Sequence, residues 1–242
     1  MFMKDDTLTK EESPIIGTLM ERTLHATLKS HYESDKTKHE IRFMGFVADI
    51  KNDNGITEIQ TRSFNALRKK LSTFLEHEKV TVVYPAVRNK WLIWVDPHTG
   101  EMSEKRKSPI KGGIYDVFRE LYRIKQYLTH PNFHLRILPV DIEEYRICTR
   151  SIDDPRRSNR FGSTRIERIP VGFGEEIAID STEDYKKIIP DGLDGEFTSA
   201  DFAKIAKKSR SLSQTALNVL TFVGAVERIG KNKKSIVYRI NK

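Results

Sequence analysis

The sequence predicts an α/β fold in which a mixed sheet is flanked by helices, followed by a small basic unit of two helices and a hairpin. Three features carry that prediction. Along residues 13–140 the apolar period alternates in the order helix, strands, helix, strand, strand, helix, strand. Between 195 and 242 the order becomes helix, helix, hairpin. In that last segment ten Lys or Arg face three acids, a local charge of +7 within a formal net charge of +8. The rest of the chain is therefore nearly balanced, and its end is basic.

The first helix is expected to start at Ser13-Pro14, a cap followed by a proline at the first helical position, and to carry Ile16, Leu19, Met20, Leu24 and Leu28 on one side. Glu21 falls at the border of that stripe. Two apolar stretches, Ile41 to Ile50 and Ile56 to Thr61, flank Asn52-Asp53-Asn54-Gly55, a strong hairpin turn. Phe64, Leu67, Leu71, Phe74 and Leu75 define an amphipathic helix. Val80–Tyr84 and Trp91–Val95 read as two short strands, with both tryptophans in the core. A charged loop covers Glu101 to Gly113. Ile114, Val117, Phe118, Leu121, Ile124 and Leu128 mark a third helix, which leads to a strand from His134 to Val140. Cys148 follows as a small core residue. The polar stretch Asp153–Gly162 closes this domain, so residues 1–150 form the α/β body, and 151–194 are a linker or bridging segment.

Residues 195–242 form the C-terminal domain. Thr198 or Ser199 can cap a helix reaching Lys207, and Ser211 or Ser213 can cap the next. Leu212, Ala216, Leu217, Leu220 and Phe222 or Val223 supply that helix's apolar positions, and Gly224 ends it. Val226–Ile229 and Ser235–Ile240 then alternate around Gly230–Lys234. This is the pattern of a winged helix-turn-helix. It would place Ser213, Gln214, Thr215 and Asn218 on the exposed start of a recognition helix, and Lys231, Lys233 and Lys234 at the tip of the wing.

Several function classes are excluded. No apolar run approaches the roughly 20 residues of a membrane span, and the charged start Met1–Glu12 is unlike a secretory signal. The lone cysteine rules out an internal disulfide and a cysteine-rich zinc site, which suits the reducing cytoplasm. The seven histidines lack close metal-ligand spacing. Gly172-x-Gly174 is no dinucleotide fingerprint, and neither a nucleophile elbow nor a phosphate loop is present.

The chemistry-bearing residues lie on the central hairpin. If Asp53-Asn54 form the turn, or all of Asn52–Gly55, Asp49 faces Glu58; if Asn54-Gly55 form it, Asp49 faces Gln60 and Glu58 is its diagonal neighbour. In each case the three share one face. Flanking Val47, Ile50, Ile56 and Ile59 make both strand faces apolar, and adjacent carboxylates there repel unless a cation joins them.

This arrangement resembles the PD-(D/E)XK, or restriction-endonuclease-like, nuclease superfamily, whose site is built on a helix, three strands, a helix and a strand. The resemblance covers roughly residues 13–96. It implies a metal-dependent nuclease hydrolysing phosphodiester bonds in DNA, in preference to RNA, with Mg²⁺ (or Mn²⁺) held by Asp49, Glu58 and the backbone carbonyl of Ile59. Glu21 resembles the acid that many members carry on the first helix. Gln60 stands where the family has lysine. It can orient a water but supplies no positive charge, and Arg62, Lys69 and Lys70 are the candidates to replace that lysine.

Lys105-Arg106-Lys107, Lys111, Arg156, Arg157, Arg160, Arg165 and Arg168 are candidate phosphate contacts. The alternative is a non-catalytic DNA-binding regulator whose degenerate nuclease-like body senses a ligand or dimerises. No membrane partner is expected, and a homodimer is left open.

Overall fold

The structure is a computed structural model and describes residues 22–61, 63–110, 112–148, 163–233 and 235–241. Helix α1 (Arg22–Tyr32) leads into a meander of β1 (His39–Phe43), β2 (Phe46–Asn52) and β3 (Gly55–Ile59). Helix α2 (Arg68–Phe74) crosses to β4 (Val80–Val95). The short β5 (Arg106–Lys107) and helix α3 (Val117–Arg123) precede β6 (Phe133–Cys148), β7 (Ser163–Phe173) and β8 (Ile177–Ile179).

The strands join in one mixed sheet of order β1-β2-β3-β4-β6-β7, with β5 on β4 and β8 on β6. Pairing is antiparallel through β1, β2 and β3, parallel from β3 to β4 to β6, and antiparallel again at β7 and β8. Parallel neighbours cannot be joined by a tight turn, so each parallel step needs a crossover, supplied here by α2 and α3. Both faces of the central strands are covered as a result. On one face, Leu24 and Leu28 of α1 pack on Ile50, Ile59, Val83, Leu138, Val140 and Ile142. On the other, Leu71, Phe74, Phe118 and Leu121 pack on Ile56, Val80, Val82, Leu135 and Ile137.

The remaining chain adds β9 (Glu196–Thr198), α4 (Ser199–Ala206), α5 (Arg210–Phe222), β10 (Val226–Asn232) and β11 (Ser235–Ile240), the strands ordered β10-β11-β9 in a second sheet. Thr198 caps α4 through a reciprocal capping box with Asp201. This unit shares the core of the body. Phe202 is fully buried, its ring 6.3 Å from Phe118 and 6.2 Å from Tyr115. Lys208 Nζ reaches Asp116 Oδ2 at 2.8 Å.

Several expectations are corrected. The two strands Val80–Tyr84 and Trp91–Val95 are one, because β6 pairs with β4 throughout and a register shift between Val87 and Asn89 absorbs the irregular middle. Trp91 and Trp94 are half-buried rather than core, and Val47 is exposed. The strand expected to stop at Val140 runs on to Cys148. Of the stretch 151–194, residues 163–173 and 177–179 are the strands β7 and β8, both hydrogen-bonded to β6, so that part is built into the sheet. Helix α5 begins earlier than expected, with Ser209 as its cap. Phe222 is exposed, and Val223 takes the buried place. The proposed start at Ser13-Pro14 and the side chain of Cys148 lie outside the described residues. Among the described residues no helix is long and apolar enough to cross a membrane.

Candidate active site

The β2–β3 ladder runs from Asn52–Gly55 through Lys51–Ile56 to Ile50–Thr57, so the turn is Asp53-Asn54. Gly55 is required at the end of this turn. Its φ is +107°, and a Cβ there would meet Lys79 O at 2.4 Å. The register places Asp49 and Glu58 at the next position beyond Ile50–Thr57. There a side chain takes over from the backbone ladder: Ile59 N–H donates to Asp49 Oδ2 at 2.8 Å.

Each carboxylate is met by a different helix. His25 of α1 brings Nε2 to 3.1 Å from Asp49 Oδ2. Lys70 of α2 donates from Nζ to both oxygens of Glu58, at 3.0 and 2.8 Å. Glu58 is 2% exposed, whereas the side chains of Asp49 and Lys70 are 19% and 24% exposed, so the cluster opens to solvent on the Asp49 and Lys70 sides. Next to it, Lys29 of α1 pairs with Glu40 at 2.7 Å.

The two acids sit in unlike electrostatic surroundings. Burial pushes the Glu58 carboxyl up to about 7, the charge of Asp49 adds to this, and Lys70 opposes it. Burial also works to raise Asp49, but the hydrogen bond and charge of His25, with the Ile59 N–H, outweigh it and hold Asp49 low. A stability consequence follows. Folded Glu58 holds its proton more tightly than in the unfolded chain, where it titrates near 4.5, so its contribution to stability is lost as pH rises from about 4.5 through 7. Asp49 acts in the opposite sense and only below its ordinary range near 3.8. Glu58→Gln should therefore shrink the drop in urea midpoint between pH 5 and pH 8 in EDTA. An identical drop in both proteins would refute this assignment.

Of the residues expected at the site, Asp49, Glu58 and Ile59 come together, and of the candidates to replace the motif lysine Lys70 is, among the described residues, the one seen on Glu58. Gln60 is half-buried on the same strand edge, its N–H bonded to Val83 O at 3.0 Å. Lys69 is exposed. Glu21, Arg62, Lys111, Arg156, Arg157, Arg160 and Lys234 lie outside the described residues. Among the described residues no group of three His, Cys, Asp or Glu is arranged to hold a metal ion. Asp49 and Glu58, whose charges act on each other, are oxygen donors of the type a hard divalent cation takes. His25 was missed because its sequence spacing has no metal-ligand signature; only the packing of α1 over β2 and β3 places it there.

A profile of the family described as Domain of unknown function (DUF8091) matches residues 22–180. The chain belongs to this family. The DUF8091 region takes in α1 through β8, with both carboxylates and Lys70, and excludes the C-terminal unit. An uncharacterized protein of Treponema pallidum (strain Nichols) is 29% identical over 152 residues, covering 62% of this chain and 58% of that protein. The chain thus matches less than two thirds of the length of that relative. No solved structure matches.

Several of the expected phosphate contacts in the DUF8091 region are engaged within the protein, whereas Arg106 is exposed. Lys105 pairs with Glu143 at 3.1 Å, and Lys105 and Lys107 lie 5.9 and 6.0 Å over the Trp91 ring. Buried Glu144 gathers Arg146 at 2.6 Å, Arg168 at 3.0 Å and Lys90 at 3.7 Å. Arg168 therefore neutralises an internal acid, and Arg165 is exposed beside it on β7.

Beyond the family match, the expected recognition face is corrected in part. Ser213 is fully buried, and its hydroxyl donates to Ser209 O at 3.1 Å. Asn218 Oδ1 accepts from Lys125 of the body at 3.0 Å. Ser213 thus faces the core, and half-buried Asn218 is tied to the body where α5 meets α3. Gln214 is exposed and Thr215 half-buried. Lys231 and Lys233 are exposed at the tip of the β10–β11 hairpin.

Proposed function

We propose that the protein is a metal-dependent nuclease that hydrolyses phosphodiester bonds in DNA, and that the C-terminal unit is a winged-helix module holding the substrate. The single observation that carries this reading is the Asp49–Glu58 pair at the end of the β2–β3 ladder, with the Lys70 ammonium on Glu58. The order α1, β1, β2, β3, α2, β4 and the sheet order β1-β2-β3-β4 agree with the restriction-endonuclease-like arrangement. The cation missing at Gln60 is supplied from α2 instead. The order β9, α4, α5, β10, β11 and the +7 charge of residues 195–242 favour nucleic acid as the partner.

In this mechanism Asp49, Glu58 and the Ile59 carbonyl would hold Mg²⁺ or Mn²⁺. When bound, the ion supplies polarisation of the scissile phosphate and a bound water of lowered pKa. His25 and the Ile59 N–H fix the Asp49 carboxylate in one orientation. Lys70 supplies positive charge where negative charge develops on the phosphate, and Gln60 orients the attacking water by hydrogen bonding. The half-buried setting limits competing solvent.

A second reading, a DNA-binding regulator with a non-cleaving body, is favoured by Gln60 at the motif-lysine position and by the Lys70 ammonium, which occupies both Glu58 oxygens. One incubation separates the two: supercoiled, linear and single-stranded DNA with Mg²⁺ or Mn²⁺, using wild type, Asp49→Ala and Glu58→Ala. Cleavage by wild type that is lost in both variants is the expected result. Binding without cleavage under every metal would replace the nuclease with the regulator.

A further inference from the structure

A second feature of the surface lies between α2, α3 and α5. A cleft of about 700 Å³ is lined by Asn65, Arg68, Arg119, Tyr122, Arg123, Lys125, Gln126, Thr215 and Phe222. Four of these are cations and none is an acid. Arg123 makes an ion pair with Glu120 at 3.4 Å, whereas Arg68 and Arg119 are exposed and in no ion pair with a described residue. Such a concentration of guanidinium groups repels itself and is relieved by a polyanion.

The aromatic residues are equally telling. Tyr122 is 51% exposed and Phe222 is 42% exposed, although each belongs to a helix whose neighbouring apolar residues are fully buried. Lys125 Nζ lies 5.5 Å from the Tyr122 ring and 5.0 Å from the Phe222 ring, so two ring systems flank one cation at the mouth of the cleft. Lys125 is held there by Asn218 Oδ1. Cations that track a phosphate chain, beside flat apolar rings that leave a face open, are the combination that binds unpaired bases. A duplex keeps its base faces stacked internally and gains nothing from the rings.

We propose that this cleft is a binding track for single-stranded DNA, in which Arg68, Arg119 and Arg123 contact phosphates and Tyr122 and Phe222 stack on bases. The inference deepens the nuclease reading, since α2 carries both Arg68 on the cleft and Lys70 on Glu58. A strand in the cleft would thus touch, at Arg68, the helix whose Lys70 meets Glu58. The joint between body and C-terminal unit is then functional: one wall is α3, the other α5.

The test is fluorescence anisotropy with a labelled dT20 strand and with a 20-base-pair duplex, on the full chain, in EDTA so that no cleavage intervenes. Tyr122→Ala/Phe222→Ala is expected to weaken dT20 binding at least about tenfold and leave duplex binding within about twofold. Arg68→Ser/Arg119→Ser is expected to flatten the dependence of log Kd on log salt by about 1.4, or about 0.7 for each phosphate no longer neutralised. All four side chains are exposed, so unchanged thermal melting checks the fold. Unaltered dT20 binding by both double variants would overturn the proposal. So would binding abolished only in Lys231→Ala/Lys233→Ala, which would place the strand on the hairpin tip. Because the readout needs no catalysis, failure here leaves the nuclease reading to the Asp49 and Glu58 variants. Conversely, a non-cleaving protein that binds dT20 through these rings keeps the cleft assignment.

Discussion

On the nuclease proposal, replacing Lys70 with methionine is expected to lower Mg²⁺-dependent DNA cleavage by about 10²–10³-fold, the cost of removing one well-placed electrostatic group from a partly desolvated site. Lys70 is the cation seen on Glu58, and Gln60, at the position where the nucleases that the sequence resembles carry lysine, has no charge to take its place. Methionine keeps the length and apolar stem of the side chain, so the packing of α2 is preserved. Breaking a buried ion pair ordinarily leaves an uncompensated charge. Here Glu58 is already pushed up to about 7, so it can take up a proton, and the fold should survive near neutral pH. The informative companion is Lys70→Met/Gln60→Lys, which returns an ammonium to the edge of β3. It should recover part of the lost rate. Cleavage by Lys70→Met within about threefold of wild type would remove Lys70 from the mechanism, and a matching loss of thermal stability would assign it a structural role instead.

Phe202→Ala is expected to cost about 3–5 kcal/mol of folding stability, the range for emptying a fully buried aromatic site. The ring belongs to α4 but packs against Phe118 and Tyr115 of the body, so the cavity opens inside a core common to both parts of the chain. The wild-type chain should then unfold in one urea transition, with the fluorescence of Trp91 and Trp94 coinciding with the loss of helical circular dichroism. The variant should shift both signals together. Two separated transitions in the wild type, or a shift of less than about 1 kcal/mol in the variant, would show that the C-terminal unit is energetically independent of the body.

How much of this was legible in the sequence differs from element to element. The β2–β3 hairpin was readable because Asn52-Asp53-Asn54-Gly55 is a local signal in which a backbone that needs a positive φ selects glycine, but the choice of Asp53-Asn54 over Asn54-Gly55 as the turn, and with it the register, came from the structure. Either register puts Asp49 and Glu58 side by side or diagonal, and the observed one puts them side by side. The helices α2, α3, α4 and α5 were readable from their apolar spacing, although the start of α5 was misjudged because Ser209, Ser211 and Ser213 are chemically equivalent caps. The long strands β4 and β6 were not readable in full. Their polar outer halves carry Lys90, Glu144 and Arg146, residues that sit in strands only because they neutralise one another across the sheet with Arg168. β7 and β8 went unassigned for a related reason, since their pairing partner lies on β6 and not in the neighbouring sequence.

The sequence by itself determined the hairpin, its two acids and the basic end, because each depends on residues within one turn or one strand length of each other. Only the tertiary structure decided that Lys70 meets Glu58, that His25 meets Asp49, that Ser213 turns inward and Asn218 meets Lys125, and that Tyr122 and Phe222 share a cleft with four cations. The physical reason is separation along the chain. A side chain on one helix reaches a carboxylate on a strand, or a ring on another helix, only after helices and sheet have packed. No local period records which face of α2 lies over β3, or that α5 is laid against α3.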